Sequence, residues 1–256
     1  MKAIQVAKLS PDLSGCKFVE LPVPERKPGE ALVKVRAASL NFPDLLMTRG
    51  KYQFKPEPPF TSGMEFAGDV IEAEADSGFR VGDRVMGGAK TGGFAEYASV
   101  PVRSLRLMPD GLGYEPAAAL GAAYNTAYTA LVELGGLQPD HWVLVHGASG
   151  GVALAAVDLA KSMGAKVIAA SGSPDKLERI AQLYAPDAVI HSEGRFREQV
   201  TEIPGGTLCD LVCDPVGGDM AEQALRSIAW NGRFLVVGFP AGIAKMPLNL
   251  TLLKSC

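Results

Sequence analysis

Residues 142–163 read WVLVHGASGGVALAAVDLAKSM. A short apolar run, Trp142 to His146, stops at a glycine turn, and an Ala-rich run follows directly from Gly150 to Met163. A strand that turns at once into a helix leaves the first N–H groups of that helix without carbonyl partners. The positive end of the helix dipole points to the same place. Such a turn binds anions, and a dinucleotide pyrophosphate is the usual occupant. The three small positions of the G-x-G-x-x-G fingerprint fall on Ala148, Gly150 and Ala153, so the pattern is met in part. The candidate phosphate-side residues are Ala148, Ser149, Gly150, Gly151 and Val152. The alternative is a glycine-rich turn that holds nothing.

The next strand, AKVIAAS, ends at Ser171 and is followed by Gly172, Ser173 and, slightly further on, Lys176. NAD-preferring sites carry an acid here to accept the ribose hydroxyls. A carboxylate would repel a 2′-phosphate, whereas hydroxyls and an ammonium bind it. Ser171, Ser173 and Lys176 therefore favour NADPH. The plainer readings are a helix cap for Ser173 and a solvated side chain for Lys176.

Two kinds of element must position these groups. Residues 1–112 read as β-rich: Lys2 to Lys8, Ala31 to Ala38 and Phe66 to Glu74 carry alternating apolar residues, with heavy Gly and Pro punctuation between them. That texture suggests a small barrel or sandwich. One helix is expected to interrupt it, beginning at Asn41 and stopping at Gly50. Residues 113–256 alternate strands and helices. Helical runs cover 116–134, 150–163 and 174–183; strands fall at 142–146, 166–170, 188–190, 208–213 and 233–237. This rhythm predicts an α/β fold with a parallel, doubly wound sheet. Arg233 to Val237 reads as a central strand, apolar on both faces.

Composition excludes several classes. The chain has 256 residues and a net charge of −3, with no basic run to track nucleic acid. No apolar run is long enough to span a bilayer, and the first residues alternate like a strand rather than a signal peptide. A cytoplasmic protein is expected. Cys16, Cys209, Cys213 and Cys256 form no C-x-x-C pair, and Cys209 and Cys213 read as small residues of a buried strand. His146 and His191 sit at strand ends without a nucleophile beside them and read as structural.

Several motifs together resemble the zinc-free, zeta-crystallin-like quinone oxidoreductase branch of the medium-chain dehydrogenase/reductase family. They are ASLNFPDLLMTRGKY (38–52), GMEFAGDV (63–70), GDRVMG (82–87), GGFAEYASV (92–100), NTAYTAL (125–131), HGASGGV (146–152), CDPVGGD (213–219) and GRFLVVGFPAG (232–242). The resemblance runs along the whole chain. It implies a GroES-like domain over 1–112, a Rossmann domain over 113–256, and an active site in the cleft between them. It also places Thr126 near the nicotinamide end of the cofactor and adds Gly238 to the cofactor contacts. The zinc-ligand positions of the family fall on Asn41, Met64 and Ala122, which cannot make a tetrahedral zinc site, so no metal is expected.

The implied reaction is hydride transfer to a quinone or an activated alkene, a small molecule. The developing oxyanion then needs a hydrogen bond and a proton. By the resemblance, Tyr52 is the proton donor or orienting group and Asn41 an amide donor; a wall aromatic and a helix N-cap are the respective alternatives. Asp44 is mostly structural in the family. A 2-enoyl thioester reductase is the neighbouring possibility, with Arg49 and Lys51 available to an anionic tail. A catalytically impaired NADPH-binding or interaction protein is another. The family sheet has six strands, whereas five are read here and the sequence stops at LLKSC. An open sheet edge with exposed apolar side chains is the expectation, together with a homodimer for a longer form.

Overall fold

The computed structural model describes residues 1–194, 196–203 and 208–256. The chain divides into two compact units, Met1–Ala122 and Ala123–Cys256. The division falls within the long helix α2 (Tyr114–Tyr128), which continues as a π-helical turn over Thr129–Leu134.

The first unit is built from antiparallel strands, as the alternating pattern requires. A three-stranded sheet has the order β2-β1-β4, from β1 (Lys2–Val6), β2 (Cys16–Glu20) and β4 (Phe60–Thr61). A five-stranded sheet has the order β7-β3-β5-β6-β8. Its strands are β3 (Glu30–Ser39), β5 (Glu65–Glu72), β6 (Arg84–Gly88), β7 (Tyr97–Pro101) and β8 (Leu105–Leu107). The buried faces of β3, β5, β6, β7 and β8 form one apolar cluster, with Val33, Phe66, Val85 and Leu105 almost fully enclosed. Helix α1 (Phe42–Thr48) interrupts the strands where expected: Asn41 is its N-cap, and Gly50, just past its end, takes the left-handed conformation that glycine allows. Its buried Met47 packs with Val6 and Phe60.

The second unit is a parallel five-stranded sheet in the order β11-β10-β9-β12-β13. The strands are β9 (Trp142–His146), β10 (Lys166–Ser171), β11 (Ala188–His191), β12 (Cys209–Asp214) and β13 (Ile228–Val236). Helices α3 (Gly151–Ser162), α4 (Pro174–Tyr184), α5 (Phe196–Glu202) and α6 (Met220–Arg226) connect them, and α7 (Asn249–Lys254) follows β13. The strand order reverses between β9 and β12, which is where open α/β sheets bind ligands. The Ala153, Ala156 and Ala160 side chains of α3 are buried against Val143, Val145 and Val167. Small residues on that helix face let it lie close to the sheet.

One strand meets its expectation in place but not in length: the last strand stands at the open sheet edge, with apolar side chains exposed, where Arg233 to Val237 is read as lacking its outer neighbour. Among the described residues β13 pairs with β12 only, and it begins earlier than read, at Ile228 rather than Arg233. With a neighbour on one side only, Leu235 is buried while Trp230 and Val236 are exposed. Its early start is hidden in sequence by Asn231-Gly232, a turn-like pair. In the fold Asn231 takes a positive φ of 60°, and the β12–β13 register shifts between Cys209 and Leu211.

Candidate cofactor and substrate sites

The glycine turn forms as its sequence requires. Gly147 adopts φ 61°, and a Cβ there would lie 2.3 Å from Val216 Cγ2, so glycine is needed both for conformation and for space. Ala148 is buried and its N–H bonds Ala170 O at 2.8 Å, fastening the turn to β10. Gly150 caps α3 in an extended conformation, and Leu154 N–H is the donor to its carbonyl at 2.8 Å. The N–H groups of Gly151, Val152 and Ala153 therefore precede the first intrahelical donor. A Cβ at Gly151 would meet nothing within 4 Å. Free amides, a helix start of 12 residues and open space fit a dinucleotide pyrophosphate.

The turn is also fastened across the point of strand reversal. His146 ends β9 and Asp214 ends β12, and His146 Nδ1 lies 3.1 Å from Asp214 Oδ1 with both side chains almost fully buried. The same oxygen accepts the N–H groups of Val216 at 2.9 Å and Gly217 at 3.0 Å. Burial acts to raise the Asp214 carboxyl, but the His146 ring and the Gly217 and Val216 amides outweigh it and hold it below the ordinary carboxylate range. Asp214 is therefore an acceptor, and the His146 proton sits on Nδ1. The loop after β13 joins the same knot: Gly238 N–H reaches Asp214 O at 3.4 Å, and a Cβ at Gly238 would lie 3.2 Å from Pro215 O.

At the end of β10, Ser171 is buried. Its hydroxyl donates to Ser149 Oγ at 3.4 Å and accepts Ser173 N–H at the same distance. Ser173 caps α4, and Lys176 is exposed in the first turn of that helix. His191 Nε2 donates to Gly172 O at 3.1 Å and bridges the loops after β10 and β11. Thr126, on α2, is exposed.

The first unit brings together a second group. Asn41 N–H donates to Asp44 Oδ2 at 2.8 Å, the return arm of a capping box. Asp44 is almost fully buried and its Oδ1 has no hydrogen-bond partner among the described residues. Burial raises its carboxyl; the Asn41 amide opposes that rise and the nearby Glu65 adds to it. Asn41 Nδ2 donates to Glu65 Oε1 at 2.8 Å and approaches Ser39 O and Oγ at 3.5 and 3.4 Å. The Asn41 amide is thus engaged within the protein. Tyr52 lines a cavity of about 440 Å³ with Gln53, Phe54, Met64 and Lys90. Its hydroxyl has no hydrogen-bond partner among the described residues. Lys90 Nζ lies 4.6 Å above the Phe54 ring.

Neither Glu65 nor Asp214 is singled out by the sequence. Both stand inside the quoted motifs, but their partners lie 57 and 68 residues away. The Cys209 and Cys213 thiols are buried in β12 and pushed up to about 12 by burial, which makes them inert packing groups. Among the described residues, no three His, Cys, Asp or Glu side chains are grouped to hold a metal ion, and no helix is long and apolar enough to cross a membrane. Asn41, Met64 and Ala122 offer no thiolate, imidazole or carboxylate, so a tetrahedral zinc ion does not fit them.

Residues 27–110 match the family profile described as the alcohol dehydrogenase GroES-like domain, and residues 151–256 match that of zinc-binding dehydrogenase. Quinone oxidoreductase-like protein 2 of Rattus norvegicus is 41% identical over 231 residues, covering 89% of this chain and 66% of its own length. Quinone oxidoreductase of Homo sapiens is 33% identical, covering 86% of this chain and 67% of its own. The chain thus spans about two thirds of the length of the curated relatives it matches. The solved quinone oxidoreductase of Thermus thermophilus, also determined in complex with NADPH, superposes with a TM-score of 0.83 at 33% identity. The match covers 100% of this chain and 78% of that one.

Proposed function

Since this chain belongs to the quinone oxidoreductase branch of the medium-chain dehydrogenase/reductase family, we propose that it uses NADPH to reduce a quinone or an activated alkene, without zinc. The observation that carries this reading is the open amide cradle of Gly150 to Ala153 at the strand reversal, fastened from both sides by His146 and Asp214. When bound there, the cofactor supplies a hydride.

The protein's own groups do the rest. The Gly151, Val152 and Ala153 amides hold the pyrophosphate. Gly238, brought to the Asp214 turn, and Thr126 line its path. Ser171, Ser173 and Lys176 favour the 2′-phosphate. Tyr52, whose hydroxyl is uncommitted, stands in the cavity wall to give a hydrogen bond and a proton to the substrate oxygen. Asn41 orients rather than donates, because Glu65 takes its amide. A cytoplasmic setting, a small-molecule acceptor and, for a longer form, a homodimeric assembly accompany this reading.

A 2-enoyl thioester reductase is the second reading. Lys90, beside the Tyr52 cavity, gives an anionic carrier tail a cationic partner. NADPH oxidation with a quinone, a neutral enone and a crotonyl thioester separates the possibilities. Turnover of quinone or enone supports the first reading and turnover of the thioester alone supports the second. NADPH binding with no turnover would leave an interaction protein.

The cofactor preference is itself testable. NADPH should bind at least tenfold more tightly than NADH, because one charge-assisted contact is worth about 1.5–3 kcal/mol, or roughly 10- to 100-fold. Lys176→Ala should weaken NADPH alone. Equal dissociation constants for the two nucleotides would contradict the assignment.

A further inference from the structure

Asn41, Met64 and Ala122, the positions at which the resemblance would put zinc ligands, come from three parts of the first unit: the cap of α1, the residue before β5, and α2. Something must hold these parts in register. Glu65, the first residue of β5, sits among them and is only 7% exposed. Its Oε1 accepts Asn41 Nδ2–H at 2.8 Å, and its Oε2 accepts the backbone N–H of Ala122 at 2.7 Å. A Cβ on Gly121 would lie 3.0 Å from Glu65 Oε2, so the bare backbone at 121 gives the carboxylate its access to α2.

Packing alone does not call for a carboxylate here. Burying one is costly unless each oxygen is matched, and an apolar side chain would fill the space without that cost. What a carboxylate supplies is direction: two acceptors with fixed geometry aimed at two donors. We infer that Glu65 is the positioning residue of the substrate site, an anionic tie that sets α1, Met64 and α2 in register. This rests on the reading of the Tyr52 cavity as the site of reduction. Glu65 acts on that cavity through two routes. Met64, its chain neighbour, lines the wall, and α1, whose start is fixed through Asn41, runs at its other end into Gly50 and Tyr52.

Glu65→Gln tests the tie with almost no change of shape. A glutamine has one acceptor oxygen for two donors, so one bond turns into a donor facing a donor. In the double variant E65Q/N41D, the new amide donates to the new carboxylate at position 41. Its oxygen still accepts from Ala122, so both bonds return with the charge unchanged. For E65Q, kcat/KM for the quinone or enone should fall about 10- to 100-fold, the effect of small misplacements at a reacting centre. The NADPH dissociation constant should stay within about twofold, because the cofactor cradle belongs to the other unit. E65Q/N41D should recover most of the loss, whereas a role in bulk packing would show no such rescue. Wild-type efficiency in E65Q, or a loss that the swap leaves unrepaired, overturns the inference. If the wild-type chain reduces neither acceptor, the reading of the reaction fails instead. The tie is then judged by quinone binding to the NADP+-loaded protein, where the same pattern across the variants is expected and equal affinities overturn it.

Discussion

Asp214→Ala should cost the second unit about 3–5 kcal/mol and abolish measurable NADPH binding. One oxygen, Asp214 Oδ1, serves His146 Nδ1, Val216 N and Gly217 N. Alanine leaves two buried donors, His146 Nδ1 and Gly217 N, and one part-buried donor, Val216 N, without an acceptor, and each buried unsatisfied donor costs about 1–3 kcal/mol before water or rearrangement relieves it. A domain has only about 5–15 kcal/mol in total, so a lower melting temperature is the first expected sign. The cofactor effect follows from position. Gly147 packs against Val216, and Gly238 lies against Pro215, so release of the 214–218 turn loosens the walls of the phosphate cradle. Asp214→Asn keeps one oxygen for the two amides and should lose less.

The pH dependence has a defined sign. The Asp214 carboxyl is held below its ordinary value in the fold, so its stabilisation is complete above the unfolded value of about 3.9 and is lost as pH falls through the folded one. The wild-type chain should therefore lose stability below about pH 4 more steeply than Asp214→Ala. Identical melting temperatures and NADPH affinities for the two proteins would show that the knot is dispensable.

Tyr52→Phe carries the second large effect, on turnover rather than binding. General acid assistance contributes about 100- to 10,000-fold, and removal of one oxygen leaves the wall of the cavity in place. A fall in kcat of at least about 100-fold is expected, with NADPH affinity and melting temperature unchanged. The Tyr52 hydroxyl has no partner to lose among the described residues, so a stability effect would itself be unexpected. Wild-type kcat in Tyr52→Phe would reduce the residue to a wall aromatic and return the search for the donor to Lys90, the cationic terminus in the cavity.

What could be read from sequence was what is local along the chain. The cofactor turn was legible because a strand, two glycines and a helix follow one another within about twenty residues, and each fixes its own backbone. The α1 boundaries were legible from Asn41 and Gly50 for the same reason. The carboxylates that fasten the sites were not. Glu65 and Asp214 acquire meaning only through partners that the fold brings from another element, and a lone Glu or Asp inside a strand pattern carries no sign of that. His146 reads as structural by itself; only its bond to Asp214 reveals that it spans the strand reversal. For Asn41 the sequence offered a cap and a donor without a means to choose. The fold commits its amide to Glu65 because a buried carboxylate needs that hydrogen bond more than solvent does. The early start of β13 is not legible, because Asn231-Gly232 carries the composition of a turn although the strand runs through it.

The most direct test of the central claim follows a label in the presence of a metal chelator. The chain is incubated with a neutral enone, a strong chelator and NADPH carrying deuterium at the transferable position of the nicotinamide. Reduction of the enone should proceed at the rate seen without chelator, and the deuterium should be found on the β-carbon of the saturated product, with the second hydrogen drawn from solvent. Product without the label, or turnover that stops when metal is removed, would contradict zinc-independent hydride transfer from NADPH.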